Sequence, residues 1–72
     1  MTTSDLRSIV SSSGGLVLDA SKYTASDLRG IAASGSGNHA PIFLKNISKF
    51  TASDLRGIAS SGKGTVIFDF TN

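Results

Sequence analysis

Two kinds of hydrophobic pattern alternate along the chain, and the alternation runs three times. Apolar residues first recur at i, i+3 and i+4: Leu6/Ile9/Val10, then Leu28/Ile31/Ala32, then Leu55/Ile58/Ala59. Each set marks one narrow face of an amphipathic helix. A short β-type run follows each set: LVLD at 16–19, IFLK at 42–45 and VIFD at 66–69. The predicted order is therefore αβαβαβ. Strands that follow helices in this order favour parallel pairing with right-handed crossovers, which places all the helices on one face of a three-stranded sheet.

The helical phrase is itself a repeat. Its copies are TTSDLRSIVSSSGG (2–15), TASDLRGIAASGSG (24–37) and TASDLRGIASSGKG (51–64), and the last two differ only at Ala33/Ser60 and Ser36/Lys63. They begin at Thr2, Thr24 and Thr51, 22 and then 27 residues apart, with the inserted segment around NHAP (38–41). Repeats of this length that alternate two element types mark a solenoid. The expected fold is α/β: one domain of three helix-strand repeats (1–22, 23–49 and 50–72), with a short parallel sheet and helices on one face.

Each helix carries a full start signal. In the middle copy Thr24 is the predicted N-cap, with Asp27 three residues on completing a capping box and Tyr23 before it as a hydrophobic staple for Leu28. Phe50, Thr51, Asp54 and Leu55 repeat the arrangement, as do Met1, Thr2, Asp5 and Leu6. Gly35 and Gly62 stand at the predicted helix ends. Gly30 and Gly57 lie inside two helices, matched by Ser8 in the first. An interior glycine costs about 1 kcal/mol relative to alanine, and close helix-to-helix approach is the expected reason for it here.

The strand faces admit two registers. Aligning on the staple residue places Leu16/Phe43/Val66, Leu18/Lys45/Phe68 and Ala20/Ile47/Phe70 on one side, with Val17/Leu44/Ile67 on the other. Lys45 interrupts the apolar column. Sliding the middle strand by one residue reverses its faces and turns Ile42 and Leu44 inward instead. Both registers stand at this point.

In these columns the chain reads LVLDASKYT, FLKNISKFT and VIFDFTN. This resembles the leucine-rich-repeat pattern LxLxxNxLT, with Ser21, Ser48 and Thr71 at the Asn position and Tyr23 and Phe50 at the last apolar one. The resemblance spans all three units. It implies a parallel sheet on one side, helices on the other, and use as an interaction surface.

Composition narrows the function classes. A chain of 72 residues without cysteine has no disulfide or thiolate metal site, and small unstapled domains depend on very good packing or on oligomerisation. The formal net charge is +2 and the pI about 9.4, with Lys and Arg spread along the chain as on an ordinary solvated surface. No apolar stretch approaches the ~20 residues that span a bilayer. MTTSDLRS lacks the basic-then-apolar pattern of a signal peptide. A cytoplasmic protein with no membrane partner is expected.

Catalytic chemistry is poorly represented. His39, the single histidine, sits in a Gly- and Asn-containing loop with no donor cluster nearby. The stretch Gly57 to Lys63 mimics GxxxxGK, but Gly64 stands where Ser or Thr follows the lysine, and the stretch runs from helix to strand. A working phosphate loop runs the other way. No catalytic, cofactor or metal residue is assigned, and an enzyme is not expected.

Association is the leading expectation. The last residues, 69–72, align with 46–49, so the next slot, that of Phe50, is the one Met1 of another molecule fills. Neither end carries a polar capping repeat. Head-to-tail stacking through Met1, Leu6, Phe68 and Phe70 covers the open strand edge and yields a ring or a filament; ordinary frayed termini, or a fragment of a longer array, are the competing explanations. The expected partner is a second copy or another protein. The alternative is a small basic nucleic-acid-binding module in which Arg7, Arg29 and Arg56, one per copy, meet phosphates, without aromatic residues interleaved to stack bases.

Overall fold

The computed structural model describes residues 2–71. Among them, three α-helices alternate with three strands: α1 (Thr3–Ser11), β1 (Leu16–Asp19), α2 (Ala25–Gly35), β2 (Ile42–Lys45), α3 (Ala52–Gly62) and β3 (Val66–Phe68). Short 3-10 turns at Ala20–Lys22 and Ser36–Asn38 fill two of the connections. The sheet is parallel throughout, in the order β1-β2-β3. An α/β alternation on a parallel open sheet is thus as the sequence predicts.

All three helices start where the threonines stand. Thr2, Thr24 and Thr51 are N-caps, and each accepts from the amide of the aspartate three residues on, at 3.1, 3.1 and 3.2 Å. The aspartates accept in return from the threonine amides, so all three capping boxes are closed. These bonds satisfy amides that the first helical turn otherwise leaves without partners. Tyr23 and Phe50, directly before two of the caps, pack half-buried against the core. Met1, their counterpart in the first copy, lies outside the described residues.

The helix stripes and one face of the sheet form a single core. Leu6, Val10, Leu28, Ile31, Ala32 and Ile58 meet Leu18, Ile42 and Leu44 there. α1 packs on α2 and α2 on α3, in chain order. The opposite sheet face stays open, with Val17 69 % and Ile67 50 % exposed.

Of the two strand registers, the one that turns Ile42 and Leu44 inward is observed. Leu16 pairs with Ile42 and Ile42 with Val66; Leu18 pairs with Leu44 and Leu44 with Phe68. The columns drawn from the staple residue fail at β2, where they place Phe43 and Lys45 inward. The cause is local. Asn46 adopts a left-handed conformation, φ 57°, which Asn tolerates better than most residues. It takes up one extra residue, so Leu44 and Ile47 are both buried while Lys45 and Asn46 face solvent. In β1 the same step, from Leu18 to Ala20, takes two residues.

The glycines divide by what surrounds them. A Cβ on Gly62 would lie 2.5 Å from Val66 Cγ2, inside the core, and 3.4 Å from Ala32 Cβ. The nearest atoms beside Gly30 and Gly57 belong to the guanidinium of the preceding copy's arginine: Arg7 Cζ lies 3.6 Å from a Cβ on Gly30, and Arg29 Nε 2.7 Å from one on Gly57. Where the sequence predicts close approach of helices, the closest contact at these two positions is thus arginine on helix. At Gly30 a methyl group fits at ordinary contact distance.

Gly30→Ala is accordingly expected to stabilise the fold by up to about 1 kcal/mol through helix propensity. Gly62→Ala is expected to destabilise it by about 1–3 kcal/mol through overpacking. Urea denaturation of the two variants beside the parent chain checks both signs.

Candidate interaction surfaces

The contacts between neighbouring units draw on the same apolar columns. In the Leu column and the column four residues on, α1 buries Leu6 and Val10, and α2 buries Leu28 and Ala32. The Ile column is buried in α2 and α3, at Ile31 and Ile58. At the outer helices the same columns come open. On α3, Leu55 and Ala59 are only half-buried; with Ala52, Arg56, Phe68 and Phe70 they line an apolar depression of about 340 Å³. On α1 it is Ile9 that is half-buried, lining with Asp5, Ser8, Ser12 and Gly14 a depression of about 460 Å³.

Phe70 is 73 % exposed and Phe68 half-buried, their ring centroids 6.3 Å apart and the rings tilted by 52°. Both line the depression on the α3–β3 rim. Leu6 does not belong with them. It is 5 % exposed, inside the core, because its column points along the stack toward α2. Its accessible counterpart is Leu55, and the accessible apolar residue of α1 is Ile9. Met1 lies outside the described residues.

The repeated arginines do not form a free row. Arg7 lies across Gly30 and donates from Nε to Ser34 Oγ at 3.1 Å. Ser34 in turn donates to the Gly30 carbonyl at 2.9 Å, a bond repeated by Ser61 on Gly57 at 3.0 Å. Arg29 lies across Gly57. Arg56 is exposed, and no helix lies beyond it among the described residues. Two of the three candidate phosphate contacts are thus laid along the next helix.

The open sheet face carries a row of apolar side chains, Val17, Phe43 and Ile67, which with Gly15, Leu16 and Pro41 line a depression of about 300 Å³. Asp19, Lys45 and Asp69 follow on the same face toward the strand ends. Asp19 accepts from the Ser21 hydroxyl at 2.6 Å, the Ser21 amide at 3.1 Å and Asn46 Nδ2 at 3.1 Å. Asp69 repeats the turn, accepting from the Thr71 amide at 2.8 Å and from the Thr71 hydroxyl. Lys49 bridges the two units nearby, donating to the Ser21 carbonyl at 2.9 Å while its Nζ lies 5.1 Å from the Phe50 ring centroid.

These bonds hold both carboxyls below their ordinary range. For Asp19 the Ser21 hydroxyl acts most strongly, then Asn46. For Asp69 it is the Thr71 hydroxyl, then its amide, with Lys45 adding a smaller attraction. Asp5 is lowered by its capping bonds with Thr2.

Among the described residues no group of three or more His, Cys, Asp or Glu side chains is placed to hold a metal ion, and no helix is long and apolar enough to cross a membrane. His39 is exposed, left-handed at φ 56°. The Gly57–Lys63 stretch is the body of α3 and its left-handed cap at Lys63, so most of its amides serve the helix and none lines a phosphate loop. Comparison with protein-family models, with curated proteins and with solved structures finds no match.

The three lowered carboxyls give the pH dependence its sign. A group with a depressed folded-state pKa stabilises the fold while ionised, and that contribution is lost as pH falls through the folded pKa. The thermal midpoint is expected to be level from neutral pH down to the upper edge of the carboxyl range and to drop below it. In Asp19→Asn the drop is expected to be shallower. Thermal melts monitored by circular dichroism between neutral pH and strong acid check both.

Proposed function

We propose that the chain is a non-enzymatic structural module, a short solenoid that assembles head-to-tail with copies of itself. One observation carries this reading: apolar residues left only half-buried on the two outer helices occupy the same columns that are buried between units inside the chain. Leu55 and Ala59 on α3 match Leu28 and Ala32, and Ile9 on α1 matches Ile31 and Ile58. The α3–β3 rim therefore offers the surface that an inner unit offers its successor, and α1 the surface that an inner unit offers its predecessor. A heterologous contact of this kind propagates to a ring or a filament, and it pairs the open edges of β1 and β3.

The leucine-rich-repeat resemblance fits this reading as a likeness of architecture, with the parallel sheet on one side of the stack and helices on the other. A nucleic-acid module is the weaker reading. Arg7 and Arg29, though exposed, lie against the next helix, and no aromatic residues are interleaved with the arginines to stack bases.

The test is molar mass by light scattering over a concentration and salt series. Masses above the monomer that grow with concentration and persist in high salt are expected, since apolar burial is not screened as charge contacts are. Phe70→Asp, at an exposed rim position, is expected to return the chain to a monomer. Val17→Asp, on the open sheet face, is expected to leave the mass unchanged. A parent chain that stays monomeric, or an assembly broken by Val17→Asp and untouched by Phe70→Asp, overturns the reading.

A further inference from the structure

The interior steps also define the register of the contact between copies, an inference that rests on the head-to-tail reading. We infer that Arg56 of one copy lies across Ser8 of the next and donates to its Ser12, that Ser60 sits beside that same Ser12, and that β1 of the second copy pairs in parallel with β3 of the first.

Each part has a precedent inside the chain. Arg7 lies across Gly30 and donates to Ser34 Oγ at 3.1 Å; Arg29 lies across Gly57. Ser8 and Ser12 hold on α1 the positions that Gly30 and Ser34 hold on α2. Ser11 approaches α2 through its hydroxyl, 3.4 Å from the Ser34 carbonyl oxygen, and Ser60 is the counterpart of Ser11. Serine in place of glycine at position 8 fits the first of the two precedents, where a Cβ on Gly30 meets the Arg7 guanidinium at 3.6 Å; in the second, a Cβ on Gly57 at 2.7 Å from Arg29 Nε requires the flexible end of the arginine to shift. The Ser8 hydroxyl adds an acceptor for Arg56. The match runs through Ser12, the C-cap of α1, whose amide still donates to the Ser8 carbonyl. α1 itself ends at Ser11, whereas α2 and α3 continue to Gly35 and Gly62, so the tight packing of Gly35 on Val10 has no equivalent between copies.

The sheet makes the contact polar. Both interior strand pairs are parallel. A two-fold pairing of like rims would run the edge strands antiparallel or put the helices on opposite faces, and neither repeats the interior step. The arginine works with this constraint: it projects from the α3 side only, toward a serine pair found on the α1 side only. Arg56 is a positioning residue for the assembly, and the partner it fits is a second copy of this chain.

The absence of cysteine makes the register directly measurable. Ser60→Cys and Ser12→Cys chains, each at an exposed position and distinguished by a size tag on one, are mixed and treated with a short bis-maleimide. Mixed 60–12 products are expected to dominate, at concentrations where the mass exceeds the monomer. Arg56→Ala is expected to weaken association roughly tenfold, the value of a hydrogen bond to a charged group, with an unchanged circular-dichroism spectrum. Assembly with mainly 60–60 or 12–12 products overturns the register while leaving self-association intact. Assembly of Arg56→Ala as tight as that of the parent overturns the role of Arg56. A chain monomeric at every concentration overturns the register and the head-to-tail reading together.

Discussion

The apolar stripe on each helix is three residues wide, and such a helix is stable only when packed. That shortage organises the molecule. Leu28 and Ala32 of α2 face one way along the stack and Ile31 the other, so the middle helix buries its stripe between two neighbours and the sheet. Small residues let the neighbours come close: Ala32 and Gly62 meet across the α2–α3 step, and Val10 and Gly35 across the α1–α2 step. The polar groups follow the same logic. Capping boxes close the helix starts at Thr2, Thr24 and Thr51 without drawing on tertiary contacts, which leaves the helix stripes to pack on the sheet and on one another.

Repetition makes much of this legible in the sequence. A cap, an acid three residues on and an apolar triplet at i, i+3 and i+4, present three times, locate the helices to within a residue or two. The strand positions follow from the β-branched and aromatic runs. Register is a different kind of information. It depends on one residue, Asn46, whose left-handed backbone inserts an extra position between Leu44 and Ile47. Nothing in a gapless alignment marks that insertion, although Lys45 in an apolar column is its visible symptom. The αL conformation resolves the conflict by turning the lysine to solvent, and Asn46 then bonds Asp19 on the neighbouring unit.

The candidate association residues divide once their burial is known. Phe70, named from the sequence for its place at the chain's end, is exposed. Leu6 reads incorrectly, because a column that is exposed at one end of a stack is buried at the other. Direction along the stack is a property of the packed helices, and the triplet alone does not reveal which member faces forward. The arginines show the same limit. Their recurrence suggests a charged row, whereas Arg7 and Arg29 run along the stack axis to the next helix.

That direction connects the interior to the surface. Every inner step is asymmetric: a Leu column and an arginine leave one side, and an Ile column with Gly and Ser positions receives them on the other. An asymmetric step has no symmetric way to end, so the two rims differ, and the head-to-tail proposal rests on that difference. Leu55, Ala59 and Arg56 stand ready on one rim, and Ser8, Ile9 and Ser12 on the other. On the head-to-tail proposal the contact between copies is the interior contact continued, so a repeat that packs by one rule needs no further sequence to make it.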